Sequence, residues 1–425
     1  MTSGDRLTLT IEKPAAGGRM IARHNGVIVL VSGAIPGEVV EVEVEKVQRG
    51  TGWARTRRVI EASGDRVAVE GDWACGGNVL AHVRYERQLA LKREIVCDAL
   101  RRIGRLEPPN EIPVARSPLD GYRMRARLHV VNGRIGFFRE STHELCDPLG
   151  TRQLLPSSLQ AIEALREALV SGAAAAVDQV ELSENRAADQ RAFHLVLRDN
   201  ADPSRLGTVS RLSGISGVSY GASQGGRAMV LAGSPEVSDT LSVATASSTR
   251  EFRLTRHAHA FFQANRFLLE SLVAAVVELV SAGRALDLYA GVGLFSVALA
   301  SRGDTRVTAI EGDRTSAHDL KVNAARAGGA IEARHQAVEV YLESAKLPDL
   351  QTVIVDPPRT GMTKEALTGA IRLRAARVVY VSCDVATLAR DARTLVDAGY
   401  RLSELRAFDL FPHTAHIESL GLFAR

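Results

Sequence analysis

A cysteine that directly follows an apolar run is the first candidate for chemistry in this sequence. The run is Val378-Val-Tyr-Val-Ser382, whose β-branched character predicts a buried strand, and Cys383 comes next. Most cysteines are buried and inert. A thiol just past the end of a parallel strand, however, lies at the sheet edge where open α/β folds bind their ligands. Because a thiolate is a strong nucleophile, we predict that Cys383 attacks a substrate.

The carboxylate of Glu418, near the end of the given sequence, is the second candidate for chemistry. Glu418 ends the segment Phe411-Pro-His-Thr-Ala-His-Ile-Glu418 and has apolar residues on both sides. A carboxyl group in apolar surroundings has a raised pKa and can accept a proton, although position alone favours a surface glutamate. His413 and His416 lack a third ligand with matching spacing, so we predict no metal at this segment.

A turn with two glycines predicts a site for a nucleoside-containing cofactor. Residues 285–296 read Ala-Leu-Asp-Leu-Tyr-Ala-Gly-Val-Gly-Leu-Phe-Ser, so an apolar strand leads through Gly291 and Gly293 into a helix. A second strand ends at Glu311, whose carboxylate can accept hydrogen bonds from both hydroxyls of a ribose. A dinucleotide-binding turn is the competing interpretation. Ser296 replaces the third glycine of that turn, so the pattern favours S-adenosyl-L-methionine over NAD.

Another carboxylate, Asp356, follows the apolar residues Val353–Val355 and precedes two prolines that stiffen the loop. It is predicted to lie at the same carboxyl edge of the sheet. Methylases of the adenine amino group often carry an aromatic residue after two prolines, whereas Arg359 stands here. The loop therefore argues against adenine chemistry.

The distribution of strands and helices predicts an α/β protein of three parts. From residue 260 onward, helices alternate with β-branched strands, which is typical of a doubly wound, Rossmann-like parallel sheet over residues 251–425. Residues 1–62 read as short strands between glycine turns and predict a small β-barrel. Residues 63–250 are predicted to form a central α+β domain, with a helix over 84–105 that packs on the C-terminal domain.

Basic residues cluster in the predicted barrel. They are Lys46, Arg49, Arg55, Arg57 and Arg58, and Trp53 lies among them. From this segment alone, a solvated charged face is as good an interpretation as a nucleic-acid contact.

The composition is that of an ordinary globular protein, with 425 residues, 45% hydrophobic residues, 24% charged residues and a net charge of +4. No apolar run approaches the ~20 residues that cross a bilayer, so we expect a cytoplasmic protein without membrane contact. The four cysteines lie far apart and form no CxxC pair. We therefore predict neither a disulfide framework nor a zinc site.

Methylation of carbon 5 of uracil needs the groups that these motifs supply. Carbon 5 is a poor nucleophile, but a thiolate that adds to carbon 6 produces an enolate that can attack an electrophilic methyl group. A base must then remove the proton from carbon 5 so that the thiolate leaves. The glycine turn with Glu311 would bind the cofactor, Cys383 would be the nucleophile and Glu418 the base.

The C-terminal half resembles the RNA uracil-5-methyltransferases, and the resemblance extends over nearly the whole chain. The motifs that carry it, in the family order, are Phe261-Phe-Gln-Ala-Asn265, Asp287-Leu-Tyr-Ala-Gly-Val-Gly293, Asp356-Pro-Pro-Arg-Thr-Gly361, Tyr380-Val-Ser-Cys-Asp384, Thr387-Leu-Ala-Arg-Asp391 and Phe411-Pro-His-Thr-Ala-His-Ile-Glu418.

This resemblance implies a class I methyltransferase fold, S-adenosyl-L-methionine as the cofactor and an RNA substrate. It makes Cys383 the nucleophile and Glu418 the base. The cofactor and target-base pocket that we predict comprises Gln263, Tyr289, Gly291, Gly293, Glu311 and Asp356.

The segment Gly26–Glu38 is similar to a TRAM domain, a small RNA-binding β-barrel, and Tyr122–Leu128 is similar to the central domain of the family. The similarity to TRAM implies that the basic face of the barrel binds RNA. Because TRAM domains are commoner in the branch that modifies rRNA, we favour 23S rRNA over tRNA.

Many members of this family hold an iron–sulfur cluster on four cysteines. Here Val69 and Asn78 stand at two of the ligand positions, so only Cys75 and Cys146 remain of the four. Two thiolates do not supply four ligands, and we predict no iron–sulfur cluster.

Other functions stay open. A tRNA uridine-5 methyltransferase is the first alternative. A cytosine-5 RNA methyltransferase is disfavoured because its cysteine usually follows a proline, and an inactive RNA-binding relative is disfavoured because Cys383 and Glu418 are both present. We expect a monomer.

Overall fold

The N-terminal segment is a closed five-stranded barrel in the computed structural model, which describes residues 1–140, 142–169, 173–212, 214–222, 228–244 and 249–425. The strands are β1 (Arg6–Pro14), β2 (Met20–His24), β3 (Val27–Ser32), β4 (Val39–Gln48) and β5 (Thr51–Glu61). They close in the order β1-β2-β3-β5-β4, which confirms the predicted barrel.

Alternation of valine and glutamate explains how β4 fits this barrel. Val40, Val42 and Val44 are buried inside, and the glutamates that alternate with them face outward, as the two-residue period of a strand requires. The hydrophobic core of the barrel extends beyond β5 and includes Leu91 from the helix that follows. The barrel is therefore packed against the rest of the chain.

That helix is α1 (Tyr85–Ala99), which continues as a π-helical turn over Leu100–Gly104. Leu91 on α1 packs into the barrel, whereas Ile95, one turn further on, packs into the core of the C-terminal sheet. A short strand, β6 (Val114–Ala115), then joins that sheet. The helix thus connects the barrel with the C-terminal domain.

The central region is a seven-stranded sheet in the order β13-β12-β11-β10-β7-β8-β9. Its elements are β7 (Arg125–Val131), β8 (Arg134–Phe138), β9 (Leu145–Cys146), α2 (Pro156–Leu169), β10 (Val177–Glu184), β11 (Arg191–Leu197), β12 (Gly217–Ala222) and β13 (Met229–Gly233). Alternate residues of β7, such as Ala126, Leu128 and Val130, face a core that also contains Ile162 and Leu165 of α2.

The C-terminal region is an eight-stranded sheet in the order β18-β17-β16-β19-β20-β22-β21-β6. A hairpin of β14 (Glu236–Ala244) and β15 (Thr249–His257) precedes it. Its further elements are α3 (Leu269–Leu279), β16 (Gly283–Leu288), α4 (Leu294–Arg302), β17 (Thr305–Glu311), α5 (Arg314–Ala325), β18 (Ile331–His335), α6 (Val338–Ser344), β19 (Leu350–Val355), α7 (Lys364–Arg372), β20 (Arg377–Ser382), α8 (Val385–Asp397), β21 (Arg401–Phe408) and β22 (Glu418–Ala424).

Strands β16 to β20 of this sheet pair in parallel, and β22 is antiparallel to both of its neighbours. This is the predicted Rossmann-like arrangement. The division of the chain after residues 62 and 250 stays a prediction: β15 spans the second boundary, and residues 245–248 beside it lie outside the described residues. No helix in the described part of the chain is long and apolar enough to cross a bilayer.

A disulfide between Cys75 and Cys146 differs from what the sequence predicted. The two cysteines are 71 residues apart, yet their Cα atoms lie 5.8 Å from each other, since Cys75 pairs with Arg139 just after β8 and Cys146 pairs with Phe137 of β8. Both side chains are buried. The sequence predicted no disulfide framework and gave no sign of this single bond, because distance along the chain does not report distance in the fold.

Candidate active site

The carboxyl ends of the parallel strands bring the predicted pocket residues to one edge of the sheet. Asp287 lies near the end of β16 and Tyr289 follows it, while Glu311 ends β17. Asp356 follows β19, and Cys383 follows β20. Because neighbouring parallel strands end at the same edge, residues separated by almost one hundred positions meet there.

The antiparallel strand β22 brings Glu418 to the same edge. Glu418 is the first residue of β22, and Ser419 pairs with Ser382 at the end of β20. The same register, extended by one residue, sets Glu418 across from Cys383. The charge of Glu418 accordingly acts on the pKa of the Cys383 thiol.

The glycine turn between β16 and α4 is held by Glu311. One oxygen of its carboxylate accepts from the backbone N–H of Gly291 at 2.7 Å, and the other accepts from that of Asp313 at 2.6 Å. Gly293 has φ +92°, and a Cβ there would meet Leu320 at 2.8 Å, so glycine is required. Nothing lies within 4 Å of the place where a Cβ of Gly291 would be, so the turn is open toward a ligand.

Carboxyl groups are gathered beside this turn. Burial raises the pKa of Asp287 to about 7, against one hydrogen bond from Ser296, and its second oxygen has no hydrogen-bond partner among the described residues. Burial and the charge of Asp287 raise the pKa of Asp356 to about 7, and Gln263 donates a long hydrogen bond of 3.4 Å to it. The buried carboxyl groups at this edge therefore favour a positively charged ligand.

The thiol of Cys383 is partly exposed, and its surroundings act on it in opposite directions. Burial and the carboxyl group of Glu418 raise its pKa to about 11, although Arg359 lowers it through its charge and a hydrogen bond. Asp384, next in the chain, caps α8 by accepting from the N–H groups of Ala386 and Thr387 at 3.0 and 2.9 Å. The cap fixes the backbone beside the thiol.

The side chain of Glu418 is buried, with 4% of the residue exposed, so the interpretation as a surface glutamate was wrong. Burial raises its pKa well above the ordinary value, Asp356 adds to this shift, and Arg359 opposes it. Burial and the same arginine lower the pKa of His416 to about 4, so this imidazole is neutral at pH 7. A carboxylate with a raised pKa is a better proton acceptor when it is ionised.

Arg359 is the site residue that sequence reasoning missed. The sequence used it only as an argument against adenine chemistry, yet its guanidinium group acts on the thiol of Cys383 and on the carboxyl of Glu418. The signal was present, because Arg359 lies three positions after Asp356 on a loop stiffened by two prolines.

The basic face of the barrel is more neutral than the sequence suggested. Arg55 pairs with Glu45 at 3.1 Å, and Arg57 pairs with Glu43 at 3.1 Å. Arg58 pairs with Glu41 in the same way. The outward glutamates of β4 thus face the arginines of β5, and this pairing is not visible in a count of basic residues.

The turn between β4 and β5 is a different part of the barrel. Lys46 lies 4.9 Å from the centre of the Trp53 ring, and Arg19 lies 5.1 Å from it. Arg49 is exposed in the turn itself.

In the part of the chain that the structure describes, no group of three or more His, Cys, Asp or Glu residues could hold a metal ion.

Known proteins resemble this chain in both sequence and fold. A family model described as tRNA (Uracil-5-)-methyltransferase matches residues 221–425, and a TRAM domain model matches residues 2–56. The chain is 33% identical over 436 residues to a 23S rRNA (uracil(1939)-C(5))-methyltransferase of Methylococcus capsulatus, with 98% of this chain and 96% of the relative covered. An enzyme of the same name from Azoarcus sp. is 30% identical, with 98% and 99% covered.

Among solved structures, a tRNA (uracil-54, C5)-methyltransferase of Pyrococcus abyssi in complex with S-adenosyl-L-homocysteine superposes with a TM-score of 0.73 and 25% identity. The alignment covers 98% of this chain and 100% of that one. The fold and these relatives together define a class I methyltransferase that depends on S-adenosyl-L-methionine. The chain belongs to the RNA uracil-5-methyltransferase family, and it is an enzyme of that class.

Proposed function

We propose that this protein methylates carbon 5 of a uridine in 23S rRNA through a covalent bond between Cys383 and carbon 6 of the base, with Glu418 as the general base. The observation that carries the proposal is the convergence of Cys383 and Glu418 at one sheet edge, beside the glycine turn held by Glu311. A nucleophile, a proton acceptor and a nucleoside site are thereby close together.

The residues at the edge fit S-adenosyl-L-methionine. Its sulfonium and ammonium groups are cations, and the carboxyl groups of Asp287 and Asp356 have raised pKa values that a cation would lower. Glu311 would accept from the ribose hydroxyls, with Gly291 and Gly293 forming the turn beside it. When bound, the cofactor supplies an electrophilic methyl group. We propose that Gln263 and Tyr289 complete the pocket.

The first step that we assign to this chain is addition of the Cys383 sulfur to carbon 6 of the uracil. The thiol is partly exposed and loses its proton to solvent, against a pKa of about 11. Arg359 favours the thiolate because its charge stabilises a negative sulfur. The electron pair of the carbon 5–carbon 6 bond moves toward the uracil oxygen, and carbon 5 becomes nucleophilic.

The last step is removal of the proton from carbon 5 after methylation. Glu418 accepts this proton, the double bond between carbon 5 and carbon 6 forms again, and the Cys383 sulfur leaves. Burial suits Glu418 to this role because a carboxylate in a water-poor site binds a proton more strongly.

The assignment to 23S rRNA rests on the relatives, since two of them with full-length similarity are named for uracil 1939 of that RNA. A tRNA substrate is the alternative, favoured by the similar archaeal structure. In either RNA a stacked uridine cannot expose both faces of its ring, so it must be flipped out, most cheaply from a loop or bulge.

The barrel is proposed to hold the RNA backbone. With Arg55, Arg57 and Arg58 already paired to glutamates, we place the strongest contact at Arg49, supported by Lys46 and the Trp53 ring.

We also propose that the protein holds no iron–sulfur cluster, because Cys75 and Cys146 are bonded to each other. Iron analysis of protein purified without oxygen tests this second point, and four irons per chain would refute it.

Mass spectrometry of RNA from a deletion strain tests the function. Digested 23S rRNA from that strain should lack one 5-methyluridine, and the wild-type gene should restore it whereas the Cys383→Ala gene should not. Loss from tRNA instead of rRNA would establish the alternative substrate. If neither RNA loses a 5-methyluridine, the proposed function is wrong.

A further inference from the structure

The loop that leads to Glu418 is held by side chains from distant parts of the chain. This loop, residues 409–417, joins β21 to β22 and leads directly into Glu418, which pairs with Phe408 at the end of β21. It has no regular secondary structure, and His413 within it has φ +62°, a region that non-glycine residues seldom adopt. External contacts are therefore needed to fix its conformation.

Two residues of α1, one turn apart on the same face, hold the middle of the loop. Lys92 forms an ion pair with Asp409 and donates to the carbonyl oxygen of Phe411 at 3.0 Å. The amide oxygen of Gln88 accepts from the backbone N–H of His413 at 3.0 Å. Its amide nitrogen lies 3.0 Å from Nδ1 of the same histidine.

Both α1 side chains are fully buried, at 0% exposure. Neither touches a residue of the cofactor or target-base pocket in the described contacts. A buried ion pair is expensive to desolvate and is weak evidence for stability, so a gain in stability does not by itself explain this pair.

Other segments hold the neighbouring peptide groups. Asn265 donates to the carbonyl oxygen of Leu410 at 3.0 Å, and the backbone N–H of Leu80 donates to that of His413 at 2.8 Å. Consecutive peptide groups of the loop thus have polar partners from outside the loop. The contact from Leu80 and those from α1 connect the loop to the barrel, since Leu80 and Leu91 both belong to the barrel core and Leu91 lies between Gln88 and Lys92.

We infer that Gln88 and Lys92 are positioning residues that hold Glu418 at the distance from carbon 5 that proton removal needs. The inference rests on the proposed function, because it assumes that Glu418 is the base. Cys383 follows β20, and none of the contacts that hold this loop involves Cys383. Loss of the α1 contacts should therefore slow proton removal and leave the addition of the thiol and the methyl transfer nearly unchanged.

The test compares three full-length variants with the wild type in single turnover on the RNA that the wild type methylates. Gln88→Leu removes both hydrogen bonds to His413 at similar volume. Leu91→Ala is the matched control, because it creates a cavity on the same helix without touching the loop. Glu418→Gln removes the base itself. The signals are methyl incorporation, release of free RNA and the fraction of protein in an adduct that resists denaturation.

Gln88→Leu should form the methylated adduct at a rate within about twofold of the wild type but release RNA about 10- to 100-fold more slowly, as expected for a misplaced catalytic group. Adduct should accumulate, as in Glu418→Gln. Leu91→Ala should lower Tm without any accumulation of adduct.

If Gln88→Leu releases RNA like the wild type while Glu418→Gln accumulates adduct, the positioning role is wrong and the proposed function stands. If Glu418→Gln also accumulates none, the base assignment fails, and this inference fails with it.

One double variant covers the case in which Gln88→Leu does not fold. Lys92→Met combined with Asp409→Leu replaces a buried ion pair by apolar side chains, which often preserves stability. It still removes the donor to the Phe411 carbonyl oxygen. Accumulation of adduct at a Tm near that of the wild type would support the inference, and release of RNA at the wild-type rate would overturn it.

Discussion

Charged side chains are concentrated in two regions of this molecule, and the two regions treat charge in opposite ways. On the barrel, the outward glutamates of β4 lie opposite arginines of β5. Each of these arginines forms an ion pair with a glutamate on the solvent-facing side of the barrel. At the sheet edge, the carboxyl groups of Asp287, Asp356 and Glu418 are buried near one another and their pKa values are raised.

The difference indicates where charge has a function. Exposed ion pairs contribute little to stability and are easily exchanged for other partners. Buried carboxyl groups without a matching cation are unfavourable in the free protein, so such clusters are typical of sites that bind or transform a ligand. The number of charges in a segment is therefore less informative than the neighbours that the fold gives to each charge.

The largest expected effect comes from the nucleophile at the sheet edge. Cys383→Ala should reduce methyl transfer by more than about 10³-fold, because no other group can form the bond to carbon 6. RNA affinity should be unchanged, since the contacts to the RNA backbone lie elsewhere. Methyl incorporation from labelled cofactor and a filter-binding assay measure the two properties. Turnover near the wild-type rate would remove Cys383 from the mechanism.

The next effect concerns the base. Glu418→Gln should still allow addition and methylation but slow proton removal, so an enzyme–RNA adduct should persist on a denaturing gel. A glutamine at this buried position keeps the shape of the side chain but cannot accept the proton. Release of methylated RNA at the wild-type rate would show that another group is the base.

The pH dependence of thiol reactivity tests the opposing charges around Cys383. Only the thiolate is alkylated, so the rate of alkylation by iodoacetamide in the ligand-free protein should rise with pH toward the pKa of about 11. Arg359→Ala removes a cation and should shift this profile to higher pH. Glu418→Gln removes a negative charge and should shift it to lower pH. A Cys97→Ser background excludes the other free thiol.

Both shifts in the same direction would contradict the described electrostatics. A profile that reaches a plateau near neutral pH would also contradict them, because it would mean that the thiol is already ionised in the free protein.

The smallest expected effects are on the barrel. Arg49→Ala should raise the KM for RNA a few-fold and reduce the salt slope of binding by about 1, as the loss of one phosphate contact predicts. Glu43→Gln should have the opposite effect on affinity, because it frees Arg57 from its ion pair. Glu12→Gln is the control, since it frees Arg23 on β2, away from the pairs of β4 and β5.

Equal RNA binding by all three barrel variants would mean that this face does not contact RNA. Removal of the whole barrel is a poorer experiment than these substitutions. Leu80, Val83 and Leu91 belong to the barrel core, so deletion of residues 1–62 would expose them and disturb α1.

Local patterns were sufficient to predict the elements and the strand ends. Alternating valines predicted a barrel strand, and apolar runs that end at Glu311 and before Cys383 predicted residues at one sheet edge. Contacts between distant segments were not predictable in this way. The action of Arg359 on Cys383 and the Cys75–Cys146 bond arise only when the strands have assembled.

The burial of Glu418 is another feature that local sequence patterns could not predict. Its strand is inserted between β20 and β21, and this antiparallel insertion leaves no signal in the period of the sequence. The buried pair of Lys92 and Asp409 likewise joins residues that are 317 positions apart.

Trapping with RNA that contains 5-fluorouridine tests the central claim most directly. Fluorine at carbon 5 cannot be removed as a proton is, so after methyl transfer the sulfur cannot leave and the complex remains covalent. Digestion and mass spectrometry of the trapped protein should find one peptide, containing Cys383, that carries a methylated 5-fluorouridine nucleotide. An adduct on a different residue, or no covalent complex in a preparation that methylates ordinary RNA, would contradict the account.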